Sequence, residues 1–111
     1  GKAEWFLNIT NDAWYGHSAG PYQHLQIARF RGVENGTPLI RVANTGISVV
    51  MDPFGRILDQ LDYGIRGVID TKLPKALFGR TLFSMLGDWF FVIILFVFFL
   101  FCLRFAKGQK K

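Results

Sequence analysis

Cysteine and histidine are nearly absent from this chain. It has one cysteine, Cys102, and two histidines, His17 and His24, in 111 residues. One cysteine cannot form a disulfide within the chain, and two histidines without a third ligand do not make a metal site. Cys102 also sits in an apolar run with no base beside it, so we expect an inert thiol and not a nucleophile. We therefore predict no metal site and no cofactor.

The first 103 residues have almost no net positive charge. They contain nine Lys and Arg against eight Asp and Glu, although the whole chain has a formal net charge of +5. Four cations stand close to the end of the sequence: Arg104, Lys107, Lys110 and Lys111. A nucleic-acid-binding surface needs a basic stripe on the folded part of a protein. The charge distribution therefore argues against nucleic acid as a partner.

The same cations follow a long apolar run. Residues 89–103 (WFFVIILFVFFLFCL) contain no polar side chain. Crossing a bilayer takes roughly 20 apolar residues, and the flanking residues extend the run far enough. We predict a transmembrane helix at 81–106 and a basic cytoplasmic tail at 107–111, because Lys and Arg are enriched on the cytoplasmic side. Residues 1–80 would then lie outside the cytoplasm. The alternative, a buried core helix, needs a larger protein around it.

The first 80 residues predict a mixed α/β fold. A helix at 22–35 has helix formers, a proline just before it and Gly36 as its terminating residue. The interruption at Asn44, Thr45 and Gly46 reads as a break or bulge within an extended segment. Asp52, Pro53 and Gly55 are placed as in a type I turn. Strands are predicted at 5–10, 39–43, 47–51, 56–61 and 68–71.

The loop at 11–16 (NDAWYG) is the strongest motif of this region. It follows a predicted strand, which is where α/β folds commonly place binding groups. Asn11 and Asp12 can hold a loop through side-chain to backbone hydrogen bonds. Trp14 and Tyr15 offer an amphipathic surface for a lipid chain or a lid. From the residues alone, the more common interpretation is a structural turn with a packed tryptophan.

Two longer stretches carry a resemblance. LNITNDAWYG at 7–16 and GPYQHLQIARFRGVENGTPLIRVANTGIS at 20–48 closely resemble the bacterial apolipoprotein N-acyltransferases, which belong to the nitrilase (carbon–nitrogen hydrolase) superfamily. The DPxG hairpin and the last apolar helix with its basic tail follow in the same order. The resemblance implies part of a nitrilase-like α-β-β-α sandwich, periplasmic, followed by one C-terminal transmembrane helix in the bacterial inner membrane.

The resemblance also implies an activity and its partners. The family transfers an acyl chain from a phospholipid donor to the N-terminal S-diacylglyceryl cysteine of an apolipoprotein acceptor. It uses a ping-pong mechanism through a thioester, with a Cys nucleophile, a Glu base and a Lys oxyanion stabiliser. By analogy with the active-site rim of the family, the predicted substrate-binding residues are Asn11, Asp12, Trp14, Tyr15 and, from its place at the strand break, Asn44.

The three catalytic residues of the family precede the NDAW loop. Glu4, Glu34, Lys72 and Cys102 do not occupy the matching positions, so we predict no catalytic residue among residues 1–111. We expect this chain to be a C-terminal part of the enzyme that is inactive alone. Two alternatives stay open: a membrane-anchored nitrilase-type amidase, and a non-catalytic membrane-anchored binding module.

Overall fold

A computed structural model of the protein describes residues 2–108. The chain divides into two compact units, the first ending at Thr81 and the second beginning at Leu82. The first unit contains a four-stranded sheet and one long helix. The second unit is helical.

The sheet has the strand order β1-β2-β3-β4, so each strand lies beside its neighbour in sequence. The pair β1–β2 is parallel, whereas β2–β3 and β3–β4 are antiparallel. The parallel pair is joined by helix α1, the crossover that two parallel neighbours require. The strand bounds are Phe6–Asn11, Leu39–Asn44, Ser48–Met51 and Ile57–Leu61.

Helix α1 spans Gly20–Asn35 and confirms the predicted start and stop signals. Pro21 lies in the first turn of α1. Backbone N–H groups there have no partner within the helix, so the N–H that proline lacks costs no helical hydrogen bond. Gly36 adopts a left-handed conformation with φ 60° and donates its N–H to the carbonyls of Gly32 and Val33. This C-terminal cap turns the chain back toward β2.

The core lies between α1 and one face of the sheet. Its buried apolar side chains come from α1, β2, β3 and the turn before β3: Leu25, Ala28, Leu39, Ile47, Val49 and Met51. The opposite face leaves Leu7, Ile9 and Val42 at least half exposed. A sheet covered by a helix on one face is half of the predicted α-β-β-α sandwich, and residues 2–108 contain no second sheet.

The turn at Asp52 confirms the prediction from its sequence. The Gly55 N–H donates to the Asp52 carbonyl at 2.9 Å, and the Phe54 and Arg56 N–H groups donate to the Asp52 carboxylate at 2.9 Å each. Burial raises the pKa of the Asp52 carboxyl, but hydrogen bonds from the backbone and guanidinium of Arg56 and from the Phe54 N–H outweigh it. The pKa therefore lies below its ordinary value of 3.8.

Two predictions about the strands are wrong. The break at 44–46 is the turn of a hairpin and not a bulge, because β2 and β3 run antiparallel. Thr45 accommodates the reversal with φ 67°, a conformation unusual for a residue other than glycine. Residues 68–71 form no strand, since they have no hydrogen-bonded neighbour in the four-stranded sheet.

The second unit contains two helices, α2 at Leu82–Leu86 and α3 at Trp89–Gly108. The segment predicted as a transmembrane helix, 81–106, is thus divided, because Gly87 takes φ +52° and ends α2. Residues 89–106 have a mean hydropathy of 2.6, and none is buried by the rest of the described chain. These 18 residues span about 27 Å as a helix, enough to cross a membrane by length and composition. Residues 109–111 of the predicted tail lie outside the described residues.

Candidate functional site

Two asparagines meet where the parallel strands end. Asn11 and Asn44 are paired in register, and the Asn44 amide donates to Asn11 Oδ1 at 3.1 Å. The same oxygen accepts the Ala13 N–H at 3.1 Å. The Asp12 N–H donates to the Asn44 carbonyl at 3.0 Å. The predicted residues Asn11 and Asn44 thus lie together and fix the start of the NDAWYG loop.

The loop continues as a single 3-10 turn, Ala13–Tyr15. The Tyr15 N–H donates to the Asp12 carbonyl at 3.1 Å and closes the turn. Trp14 is 88% exposed, and Tyr15 is 46% exposed. Trp14 is therefore not the packed tryptophan of a structural turn within residues 2–108. It presents a large aromatic surface, as contact with a ligand would require.

Asp12 is placed differently from its neighbours, because it is fully buried. Its Oδ2 lies 2.7 Å from Arg41 Nη2, and both side chains are completely inaccessible to solvent. Its Oδ1 lies 2.9 Å from His24 Nδ1. Arg41 Nη1 in turn donates to Asn8 Oδ1 at 2.6 Å. The carboxylate is thus satisfied by groups of the fold, and a direct contact between Asp12 and a substrate stays a prediction.

The hydrogen-bond network assigns the tautomer of His24. His24 Nδ1 has two polar neighbours that would require opposite roles of it. One is Arg41 Nη2 at 3.2 Å, which can only donate a hydrogen bond because a guanidinium has no acceptor. The other is the Asp12 carboxylate, which can only accept and is closer, at 2.9 Å. We therefore assign the proton to Nδ1, which donates a hydrogen bond to Asp12. The imidazole side chain is 31% exposed and lies 5.8 Å, centroid to centroid, from the Tyr15 ring. His24 therefore links the buried carboxylate to the exposed loop.

An open groove lies just beyond the loop. His17, Ser18, Tyr22 and Tyr63 line it, and its volume is about 230 Å³. The rings of His17 and Tyr63 are 5.1 Å apart, centroid to centroid. Its lining of hydroxyl, imidazole and aromatic groups suits a partly polar ligand.

Residues 1–81 match the family model for carbon–nitrogen hydrolases. The chain belongs to the carbon–nitrogen hydrolase family. It is 48% identical over 108 residues to an apolipoprotein N-acyltransferase of Rickettsia bellii, covering 97% of this chain and 21% of that relative. It is 52% identical over 84 residues to an apolipoprotein N-acyltransferase of Rhodopseudomonas palustris, covering 76% of this chain and 16% of the relative. A third, from Agrobacterium fabrum, is 60% identical over 67 residues, with 60% and 13% covered. The chain thus spans about a fifth or less of the length of these relatives.

Sequence reasoning missed two residues of the candidate site, His24 and Arg41. A signal for Arg41 was present, because it alternates with Leu39 and so faces the core, where an arginine requires a buried partner. The carboxylate at the end of the neighbouring strand was the natural candidate. His24 carried no comparable signal, since one histidine on a helix is usually a surface residue.

Glu34 and Cys102 are not part of this site. Glu34 forms an i,i+3 ion pair with Arg31 at 3.2 Å on α1. Cys102 lies in the apolar helix α3. Within residues 2–108, no three His, Cys, Asp or Glu side chains are close enough to hold a metal ion. The absence of a cofactor stays a prediction.

Proposed function

We propose that this chain is part of a membrane-bound acyltransferase of lipoprotein maturation. The complete protein would transfer an acyl chain from a phospholipid to the N-terminal S-diacylglyceryl cysteine of apolipoproteins. The observation that carries this proposal is the 48% identity to an apolipoprotein N-acyltransferase across 97% of the chain. That similarity includes the apolar helix as well as the carbon–nitrogen hydrolase region, whereas the family match alone ends at residue 81.

The proposed role of this chain is to shape the substrate site, with the catalytic Cys, Glu and Lys elsewhere in the protein. Trp14 and Tyr15 would contact the lipid part of a substrate, and Asn11 and Asn44 would line the rim. Cys102 is an unsuitable nucleophile because it lies in a helix of apolar residues, where its thiol has no base to activate it. On this proposal residues 1–111 alone have no acyltransferase activity.

The proposed topology has three parts. Residues 1–80 form the C-terminal portion of a periplasmic carbon–nitrogen hydrolase domain. Residues 81–106 anchor the protein in the bacterial inner membrane, with the spanning helix within 89–106. Residues 107–111 form a basic cytoplasmic tail, consistent with the enrichment of Lys and Arg on that side. This arrangement would keep the Trp14 loop on the same side as the phospholipid donor and the apolipoprotein acceptor.

The test is Trp14→Ala in the full-length protein. Acyl transfer is measured from a phospholipid to a synthetic diacylglyceryl lipopeptide in mixed detergent micelles. Truncating an aromatic hot-spot residue costs about 2 kcal/mol or more, so we expect kcat/KM to fall at least about 30-fold. Trp14→Phe should retain most of the activity, because it keeps an apolar ring.

Phe54→Ala is the matched control, since Phe54 is a 59% exposed aromatic on the β3–β4 hairpin. It should leave kcat/KM within about twofold of the parent, as expected for a surface substitution outside a site. Equal kinetics for Trp14→Ala and the parent protein in both half-reactions would refute a substrate contact at Trp14.

A membrane-anchored nitrilase-type amidase is the second candidate. It is favoured by the family match itself, which covers residues 1–81 and describes carbon–nitrogen hydrolases in general. The same micelle assay separates the two functions when a small primary amide replaces the lipid donor. Ammonia release from the amide, with no acyl transfer from the phospholipid in a parallel reaction, would establish the amidase; acyl transfer from the phospholipid, with no ammonia release from the amide, would establish the acyltransferase.

A further inference from the structure

Trp14 is the most exposed aromatic residue of the loop. Trp14 is 88% exposed, so few contacts within the first unit restrain its side chain. Its backbone, by contrast, lies between two anchored residues. Asp12 is fully buried, and the Tyr15 ring packs against α1. The position of Trp14 therefore depends on how these two neighbours are held.

The first anchor is the Asp12 side chain. Its two oxygens face different elements: Oδ2 binds Arg41 of β2 at 2.7 Å, and Oδ1 binds His24 of α1 at 2.9 Å. Thr10 also donates to Oδ1, at 3.4 Å. The Asp12 carbonyl accepts the Tyr15 N–H that closes the turn. Any rotation of Asp12 would therefore be transmitted to the backbone on both sides of Trp14.

The hairpin turn at Gly46 restricts Asp12 further. A Cβ atom at position 46 would lie 2.3 Å from Asp12 Oδ2 and 2.7 Å from Asp12 Cβ. Both distances are far below van der Waals contact, so only glycine leaves room for this carboxylate. The Asp12 side chain is thus enclosed by α1, β2 and the turn that follows β2. This enclosure favours a single orientation.

The second anchor is Tyr15. Its ring lies against Gly20, where an added Cβ would come within 2.4 Å of Tyr15 Cδ1. It also lies 5.8 Å from the His24 ring, centroid to centroid. His24 therefore contacts both anchors, the carboxylate through Nδ1 and the tyrosine through its ring.

We propose that Asp12, His24 and Arg41 form a positioning cluster whose effect on turnover acts through the placement of Trp14. The proposal rests on the proposed function, because it requires Trp14 to contact substrate. Small displacements of a positioning group are costly: a shift of about 1 Å can lower a rate by about 100-fold. None of the three cluster residues needs to touch substrate itself.

A double-mutant cycle in the full-length protein tests this proposal. Acyl transfer is measured for His24→Ala, Trp14→Ala and the two combined, in the micelle assay above. If His24 acts by placing Trp14, the double variant loses no more kcat/KM than Trp14→Ala alone, because the group being placed is already gone. We expect His24→Ala alone to lower kcat/KM about five- to tenfold.

Two further variants separate positioning from loss of folded protein. His24→Asn offers an amide N–H near the place of Nδ1–H, so it should recover activity to within about threefold of the parent. A second cycle uses His24→Gln, which retains most of the side-chain volume, and should show the same non-additivity. Arg31→Ala, on the exposed side of the same helix, is the matched control and should leave kcat/KM unchanged.

Multiplicative losses in both cycles would overturn the proposal, because His24 would then act independently of Trp14. Parent-like activity of His24→Ala would also overturn it. These failures differ from failure of the proposed function. In that case Trp14→Ala itself keeps full activity, and there is no effect for the cluster to transmit.

Discussion

Replacing Arg41 with methionine should destabilise the end of the parallel strand pair far more than removing an exposed charge. The guanidinium is fully buried, with its Nη2 2.7 Å from Asp12 Oδ2. Methionine fills much of the same volume but leaves the carboxylate buried without its cation. Breaking such a pair typically costs 3–5 kcal/mol, because the remaining charge is uncompensated. His24 still donates to the other oxygen, so we expect a cost near the lower limit, about 3 kcal/mol.

Amide hydrogen exchange followed by mass spectrometry measures this cost locally in the full-length protein in detergent. Peptides covering β1 and β2 report the free energy of opening these strands. A loss of about 3 kcal/mol corresponds to roughly 100-fold faster exchange, since 1.4 kcal/mol is a factor of ten. Arg31→Met is the control, because the Arg31 side chain is 69% exposed in its ion pair with Glu34. Exposed ion pairs contribute about 0–1 kcal/mol to the free energy of unfolding.

A second variant isolates the charge from the packing. Asp12→Asn combined with Arg41→Met removes both charges, so no uncompensated ion remains in the core. Replacing both partners of a buried pair is often close to neutral, and we expect the double variant to recover most of the lost protection. Two results would refute the reasoning: less than about fivefold faster exchange in Arg41→Met, or a double variant that exchanges faster than Arg41→Met.

Two other predictions use the Asp52 turn and the apolar helix. The pKa of Asp52 is lower in the folded protein than its ordinary value of 3.8, so the negative charge of Asp52 stabilises the hairpin at pH values above 3.8. This stabilisation is lost as the pH falls through the lower pKa of the folded state. In thermal unfolding, the parent should therefore be more stable than Asp52→Asn by its full margin above about pH 5, and this margin should shrink below about pH 4. A margin that stays constant from about pH 5 to below about pH 4 would contradict the lowered pKa of Asp52. In a full-length variant with no other cysteine, Cys102 should resist a membrane-impermeant maleimide in intact membranes and react only after denaturation in SDS, because a mild detergent micelle also covers an apolar helix; labelling in intact membranes would contradict the predicted span.

The helix and the hairpin at Asp52 could be predicted because local residues determine them. Proline at the start and Gly36 at the end delimit α1, and the Asp52 carboxylate satisfies the N–H groups of its own turn. These signals act over two to four residues and do not depend on the rest of the fold.

The direction of β3 and the conformation of residues 68–71 could not be predicted, because both depend on residues that are distant in sequence. An alternating apolar pattern indicates an extended segment, but it does not say whether the chain continues or reverses at Thr45. Residues 68–71 have strand-forming side chains, yet a strand exists only where a neighbour supplies its hydrogen bonds. The helix break at Gly87 had a local signal, because glycine and Asp88 stand together, but hydrophobicity on both sides concealed it.

The exposed part of the candidate site followed from the NDAWYG motif, whereas its buried part did not. Trp14 lies on an exposed turn, where the resemblance places a substrate-binding residue, and that role stays a prediction. The contact between Asp12 and His24 joins residues 12 positions apart on different elements. That geometry arises only when α1 packs onto the parallel strands, so no spacing rule within the sequence reveals it.

The close approach of Gly46 to Asp12 has a consequence for protein engineering. Position 46 has no room for any side chain while Asp12 occupies its present place, and Asp12 in turn holds Arg41 and His24. Libraries that vary these positions one at a time would therefore return mostly defective clones. Positions 12, 24, 41 and 46 should be randomised as one set, while Trp14, which is 88% exposed, can be varied alone.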